Sequence, residues 1–165
     1  MSRGGSFFML VVSLAAALVL QLVELPDAVA ALRPLWLAMT LGYWALSSTS
    51  QPILPLAWLT GLCCDVLYDA PLGQHALGLV TVVYAVRKLR GTLIVFPLWQ
   101  ATLLLAPVWA LYVFLMFWID GLSDHPADLA ARWLPLLTTT LLWPLAATLL
   151  SGLSARRSHR RAVLP

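Results

Sequence analysis

The sequence has few charged residues and few cysteines. Asp, Glu, Lys and Arg make up 10% of the 165 residues, whereas 61% are hydrophobic. A soluble domain of this size has too little interior to bury so much apolar surface, so a water-soluble globule is excluded. The two cysteines are adjacent, which excludes a disulfide-stabilised secreted scaffold. An integral membrane protein remains.

Long charge-free segments run through most of the chain. A membrane-spanning helix needs about 20 mostly apolar residues, with about 17 as the lower limit. The segments do not alternate as barrel strands do, and a polar run ending at Pro52 divides the longest one. We therefore predict an all-α polytopic membrane protein in which residues 1–165 form a single domain. Its six transmembrane helices are predicted at about 7–23, 35–48, 53–68, 72–88, 98–119 and 133–153, followed by a basic cytoplasmic tail at 154–165.

The basic residues are distributed unevenly about these six helices. Eight of the ten lie on one side, before the first helix, between the fourth and fifth, and after the sixth: Arg3, Arg87, Lys88, Arg90, Arg156, Arg157, Arg160 and Arg161. Because basic residues in short loops stay in the cytoplasm, both termini are predicted to be cytoplasmic, with Asp27, Ala70 and Asp124 on the opposite side. A signal peptide cleaved near Ala30 is the alternative, but its apolar run, residues 7–23, exceeds the usual ~7–15 residues.

Motifs for catalysis are absent from the sequence. It has no phosphate-binding glycine loop, no paired histidines of the zinc-protease type and no serine nucleophile elbow. Cys63 and Cys64 lack the two-residue spacer of a redox or zinc pair, so we interpret them as packing residues. We predict no enzyme activity, no cofactor and no metal.

The most informative segment lies where the third predicted helix turns into the fourth. A carboxylate within an apolar helix is costly, so Asp65 should face a partner, and Asp69 follows one turn later on the same face. Pro71 suits the first turn of the next helix, whose free N–H groups attract a carboxylate. We predict that Asp65 or Asp69 caps that helix. A proton or substrate role and a metal site stay open as alternatives for this segment, whose candidate residues are Asp65, Asp69, Pro71, Gly73, Gln74 and His75.

Small residues four apart predict close contacts between helices. The pairs Ala38 and Gly42, and Ala57 and Gly61, each place small side chains on one helical face. These faces either pack inside the bundle or receive a helix of another protein. Trp118 and Trp133 lie near predicted helix ends, where a partner can also bind.

Two basic segments are predicted to lie in the cytoplasm: the arginine-rich tail, and the loop that contains Arg87, Lys88 and Arg90. Both indicate contact with anionic lipid headgroups or with acidic cytoplasmic proteins. A cluster of arginines directly after a last transmembrane helix is typical of such contacts, and no nucleic-acid partner is predicted.

Several motifs together resemble the rod-shape-determining MreD family of Gram-negative bacteria. They occur in the same order and cover nearly the whole chain: Pro71-Leu72-Gly73-Gln74-His75-Ala76-Leu77, Phe96-Pro97-Leu98-Trp99-Gln100, Phe117-Trp118-Ile119-Asp120-Gly121, Arg132-Trp133-Leu134-Pro135 and Leu142-Trp143-Pro144. The first two helices carry no sharp motif of the family.

The resemblance implies a non-enzymatic component of the cell-elongation machinery in the inner membrane. Its implied fold is similar to the substrate-binding subunits of vitamin (ECF-type) transporters. The implied partners are the single-pass protein MreC, the MreB filament, and RodA with its transpeptidase, with a homo-oligomer possible inside the complex. Two functions therefore stay open at this point: a scaffold that links the cytoplasmic filament to peptidoglycan synthesis, and a small-molecule-binding subunit of a transporter.

Overall fold

A computed structural model describes residues 3–23, 26, 30–48, 51–122 and 129–162, and only the helical backbone at 3, 4, 129–132 and 154–162. The described chain forms six helices: α1 (Arg3–Leu22), α2 (Trp36–Ser47), α3 (Ile53–Leu67), α4 (Gln74–Leu93), α5 (Leu98–Leu122) and α6 (Leu129–Ala162).

Helices α2 and α4 form the centre of the bundle. Helix α2 contacts α1, α3, α4 and α6, and α4 contacts α2, α3 and α5. Eight of the twelve residues of α2 are buried, as expected for a helix that is apolar on all sides. The core between these helices and α5 contains Leu41, Val83, Leu105 and Trp109. The outer helices α1, α5 and α6 direct rows of Leu, Val and Phe away from this core.

Because α2 begins inside the bundle, its first N–H groups need protein partners. The Thr139 hydroxyl, fully buried on α6, accepts a hydrogen bond of 2.9 Å from the backbone N–H of Leu35. At the other flank of α2, the Trp44 indole donates to the Ser13 hydroxyl on α1 at 2.8 Å. These two contacts hold α2 between α1 and α6.

The predicted number of helices is confirmed for the described residues, but several helix bounds differ from the prediction, most of all those of α4 and α6. Helix α4 begins two residues after the predicted start and continues to Leu93, and α6 continues to Ala162. The residues predicted as a separate tail are therefore helical up to that point. The predicted bounds follow the apolar segments, which end earlier than these two helices do. The helices continue because the Arg, Lys and Leu residues that follow are good helix formers.

Three helical segments have the length and composition of membrane spans: Gly5–Leu22, Leu98–Leu122 and Trp133–Leu153. The other three differ from the expectation of six such spans. The 12 residues of α2 extend only about 18 Å, and the hydrocarbon layer is about 30 Å thick. Helix α3 has 15 residues, and α4 carries Arg87, Lys88 and Arg90 near its end. The short helices are packed among the longer ones.

Candidate functional site at the hairpin end

The turn between α3 and α4, residues 65–75, is called the hairpin below. Helix α3 ends in a Schellman motif, in which the Ala70 N–H donates to the Asp65 carbonyl at 2.9 Å. Asp69 is the left-handed residue of this motif, with φ 51°. Its side chain is exposed and makes no hydrogen bond to a described residue. The expectation that Asp69 shares a helical face with Asp65 was wrong, because α3 ends at Leu67.

The carboxylate of Asp65 is the centre of the hairpin. Asp65 is 1% exposed. Its Oδ2 accepts from the Gly73 N–H at 2.8 Å, and its Oδ1 accepts from the His75 N–H at 2.7 Å. The Nδ1 of the His75 ring lies 2.9 Å from the same Oδ1. A carboxylate at a helix N-terminus satisfies free N–H groups and interacts favourably with the helix dipole. The contacts of Asp65 therefore join α3 to the start of α4.

The start of α4 differs from the prediction that Pro71 occupies its first turn. Gly73 is the N-cap residue, with φ 98°, and Gln74 is the first helical residue. Pro71 lies before the helix, and its carbonyl accepts from the Gln74 N–H at 3.1 Å. Glycine adopts this positive φ at no steric cost, which turns the chain so that the N–H groups of Gly73 and His75 both reach Asp65.

A second contact joins the hairpin to α5. The buried side chain of Gln74 donates from Nε2 to Asp120 Oδ1 at 2.6 Å and approaches the Met116 sulfur at 3.8 Å. Asp120 lies near the end of α5, so the first turn of α4 is fixed to both of its neighbours.

A third contact joins the hairpin to α1. The Tyr68 hydroxyl donates to the Gln21 carbonyl at 2.7 Å, and Arg33 donates to the same oxygen at 2.9 Å and to the Val23 carbonyl at 2.8 Å. Burial raises the pKa of the Tyr68 hydroxyl, so it stays a neutral donor to higher pH than an ordinary tyrosine does. A guanidinium on the last carbonyls of α1 complements the negative end of that helix.

The small-residue faces lie inside the bundle. A Cβ placed on Gly61 would overlap the backbone of Ala76 and lie 2.8 Å from the carbonyl carbon of His75. A Cβ on Gly42 would lie 2.9 Å from the Trp109 ring. Ala38 and Ala57 are also fully buried. These faces are therefore internal contacts, the first of the two alternatives that the sequence left open.

The chain matches the family model of the rod shape-determining protein MreD over residues 1–152. The chain belongs to the MreD family. It is similar to the rod shape-determining protein MreD of Haemophilus influenzae, with 33% identity over 134 residues that cover 78% of this chain and 79% of the relative. No solved structure matches it significantly. The resemblance seen in the sequence is confirmed, and the chain is a membrane protein of the rod-shape machinery.

The MreD family match does not support a transporter subunit. The cavity beside the hairpin has about 10 Å³, room for one water, between Gln21, Tyr68, His75 and Tyr112. Among the described residues, no three metal-binding side chains lie together.

The end of this MreD chain opposite the hairpin is basic. Arg87 donates to the Gln51 carbonyl at 2.9 Å, and Arg90 donates from Nε to the Leu46 carbonyl at 2.6 Å. Lys88 is exposed, with Nζ 5.9 Å from the centre of the Tyr84 ring. The four arginines of the predicted tail, Arg156, Arg157, Arg160 and Arg161, follow on the last turns of α6.

The sequence reasoning did not identify Thr139, Gln21 or Arg33 as contact residues. Arg33 offered a signal, because it is one of two cations on the mostly acidic side and lies three residues before the apolar α2. Trp118 and Trp133 are exposed at the hairpin end, and their contact with a partner stays a prediction.

Proposed function

We propose that this chain is a non-enzymatic scaffold of the elongation machinery in the bacterial inner membrane. In this proposal it couples the cytoplasmic MreB filament to periplasmic peptidoglycan synthesis by RodA and its transpeptidase, through MreC. The observation that carries the proposal is the match to the MreD family over residues 1–152. A fold similar to that of vitamin-transporter subunits is part of the same proposal.

The charge pattern supports an orientation with both termini in the cytoplasm. The end formed by Arg87, Lys88, Arg90 and the last turns of α6 is basic, and basic residues favour the cytoplasmic side. The hairpin end, with Asp69 and Asp120, then faces the periplasm. A scaffold between filament and wall needs surface on both sides of the membrane.

Exposed aromatic residues of α5 support a site for MreC near the hairpin end. Trp118 is 58% exposed, and Phe114, one turn earlier, is also exposed. Large aromatic side chains bury much area at low entropic cost and dominate many interfaces. We place the contact with the single helix of MreC here, because the small-residue faces are occupied inside the bundle.

Depletion of the protein in its rod-shaped host tests the function. The expected result is round cells with dispersed wall synthesis, restored to rods by the wild-type gene. Rod-shaped cells that grow normally after depletion would contradict the proposal.

Affinity purification in mild detergent tests the site. Trp118→Ala is expected to lower the amount of retained MreC severalfold. Trp99→Ala is the matched control, because Trp99 lies at the other end of the same helix and is 62% exposed. Equal retention of MreC by both variants and the wild type would remove Trp118 from the interface.

A further inference from the structure

An open cavity of about 390 Å³ lies at the basic end, between the end of α2, the connection from α4 to α5, and α6. Its walls are mostly apolar and include Leu46, Leu93, Phe96, Ala101 and Ala147. Hydroxyl groups are also present, among them those of Ser47 and Thr148. The volume falls within the ~300–1,000 Å³ typical of small-molecule sites.

The guanidinium of Arg90 lies beside this cavity and is held by a hydrogen bond. Arg90 donates from Nε to the carbonyl of Leu46, which is itself a wall residue, and Leu93 lies one turn further along α4. The Nη nitrogens of Arg90 donate to no described residue. They are therefore available to an anion outside the bundle, and a guanidinium binds a phosphate group well.

The chain next to the cavity has the composition of a segment at the membrane surface. Ile94, Val95 and Phe96 connect α4 to α5 and are exposed, Val95 by 78%, and they begin four residues after Arg90. Trp99 follows on the first turn of α5 and is exposed too. Exposed apolar and aromatic residues beside cations are typical of the headgroup level of a bilayer.

We propose that this cavity binds an anionic phospholipid, with an acyl chain between α2 and α6 and the phosphate on Arg90. The arginines on the last turns of α6 add positive charge on the same side. Apolar walls beside a guanidinium match the acyl chain and the phosphate of such a lipid. An acyl chain is thin enough to enter.

Native mass spectrometry of the full-length protein in detergent tests the proposal, with phosphatidylglycerol and phosphatidylcholine of equal chain length added in parallel. The wild type is expected to bind phosphatidylglycerol more tightly. Arg90→Gln should weaken phosphatidylglycerol about fivefold, since one cation near anionic lipid contributes about that factor. It should weaken phosphatidylcholine less, because the choline ammonium already offsets the charge of that phosphate. Lys88→Gln is the matched control on the same helix. It removes one positive charge away from the cavity and should weaken phosphatidylglycerol less than Arg90→Gln does.

The cavity itself is tested by Ala147→Leu, which fills it and leaves every charge in place. This variant should weaken both lipids, whereas Ala16→Leu on the exposed face of α1 should not. Arg90→Lys keeps the charge if Arg90→Gln fails to fold, and should retain the preference for phosphatidylglycerol. Equal weakening by all variants, no weakening by any, or a bound polypeptide in place of lipid would overturn the proposal.

Discussion

The two ends of the bundle use charged side chains in different ways. At the hairpin end, both oxygens of the Asp65 carboxylate bind N–H groups at the start of α4. At the basic end, Arg87 binds the Gln51 carbonyl before α3, and Arg90 binds the Leu46 carbonyl in the last turn of α2. The Nη nitrogens of Arg90 have no partner among the described residues. Both arrangements satisfy free backbone groups with the appropriate charge. The hairpin end is closed on itself, whereas the basic end retains the capacity to bind a ligand.

Among substitutions that test this difference between the two ends, Gly61→Leu is expected to have the largest effect on stability. The backbones of α3 and α4 touch at Gly61 and Ala76, so a side chain there must push the hairpin apart. We expect the free energy of unfolding to fall by more than about 3 kcal/mol, so that little folded protein remains. Abundance in membranes and thermal stability in detergent measure this.

Gly91→Leu is the control for that substitution, because Gly91 lies on α4 and a Cβ there meets nothing within 4 Å. This variant should keep near-normal abundance. A Gly61→Leu protein as stable as Gly91→Leu would show that the two helices do not pack as described.

The next effect concerns the carboxylate of Asp65. Asp65→Leu leaves the N–H groups of Gly73 and His75 without an acceptor. We therefore expect the free energy of unfolding to fall by about 3 kcal/mol. Asp65→Asn keeps one acceptor oxygen and should lose about 1–2 kcal/mol. Thermal unfolding of both variants, with shape complementation in depleted cells, measures the difference.

A proton carrier at this position would give another pattern. Asn would then be as damaging to cell shape as Leu, with both proteins at normal abundance. That result would contradict the capping role of Asp65.

The smallest effect is expected at Asp69, where only the backbone is under constraint. Asp69→Gly should be neutral or stabilise by up to about 1 kcal/mol, because glycine adopts φ 51° freely. Asp69→Val should cost about 1–2 kcal/mol. Comparison of the two melting temperatures sharpens the distinction between Asp69 and Asp65, and equal values would contradict the left-handed turn.

The local parts of this account could be predicted from sequence, and the distant parts could not. The sequence predicted that Asp65 accepts hydrogen bonds, because its carboxylate lies just before a turn and the start of the next helix. The position of Pro71 was wrong because a proline suits both a turn and a first helical turn, and the left-handed Gly73 decides between them. The contact of Thr139 with Leu35 crosses 104 residues of sequence, and no local pattern indicates it.

Helix ends show the same limit. The last apolar segment ends at Leu153, but the arginines that follow it favour a helix, and α6 continues through them. The internal packing of Gly42 and Gly61 also needed the structure, because a small-residue face looks the same whether its partner lies within the chain or in another protein.

The central claim is that the hairpin end and the basic end lie on opposite sides of the membrane. Side-specific thiol labelling in intact cells tests it most directly, with Leu72→Cys and Lys88→Cys placed singly in a background where Cys63 and Cys64 are replaced by alanine. Both positions are exposed, Leu72 by 78%. A membrane-impermeant reagent that reaches the periplasm should label position 72 in intact cells and position 88 only after lysis. Labelling of position 88 in intact cells, or of both positions alike, would contradict the account.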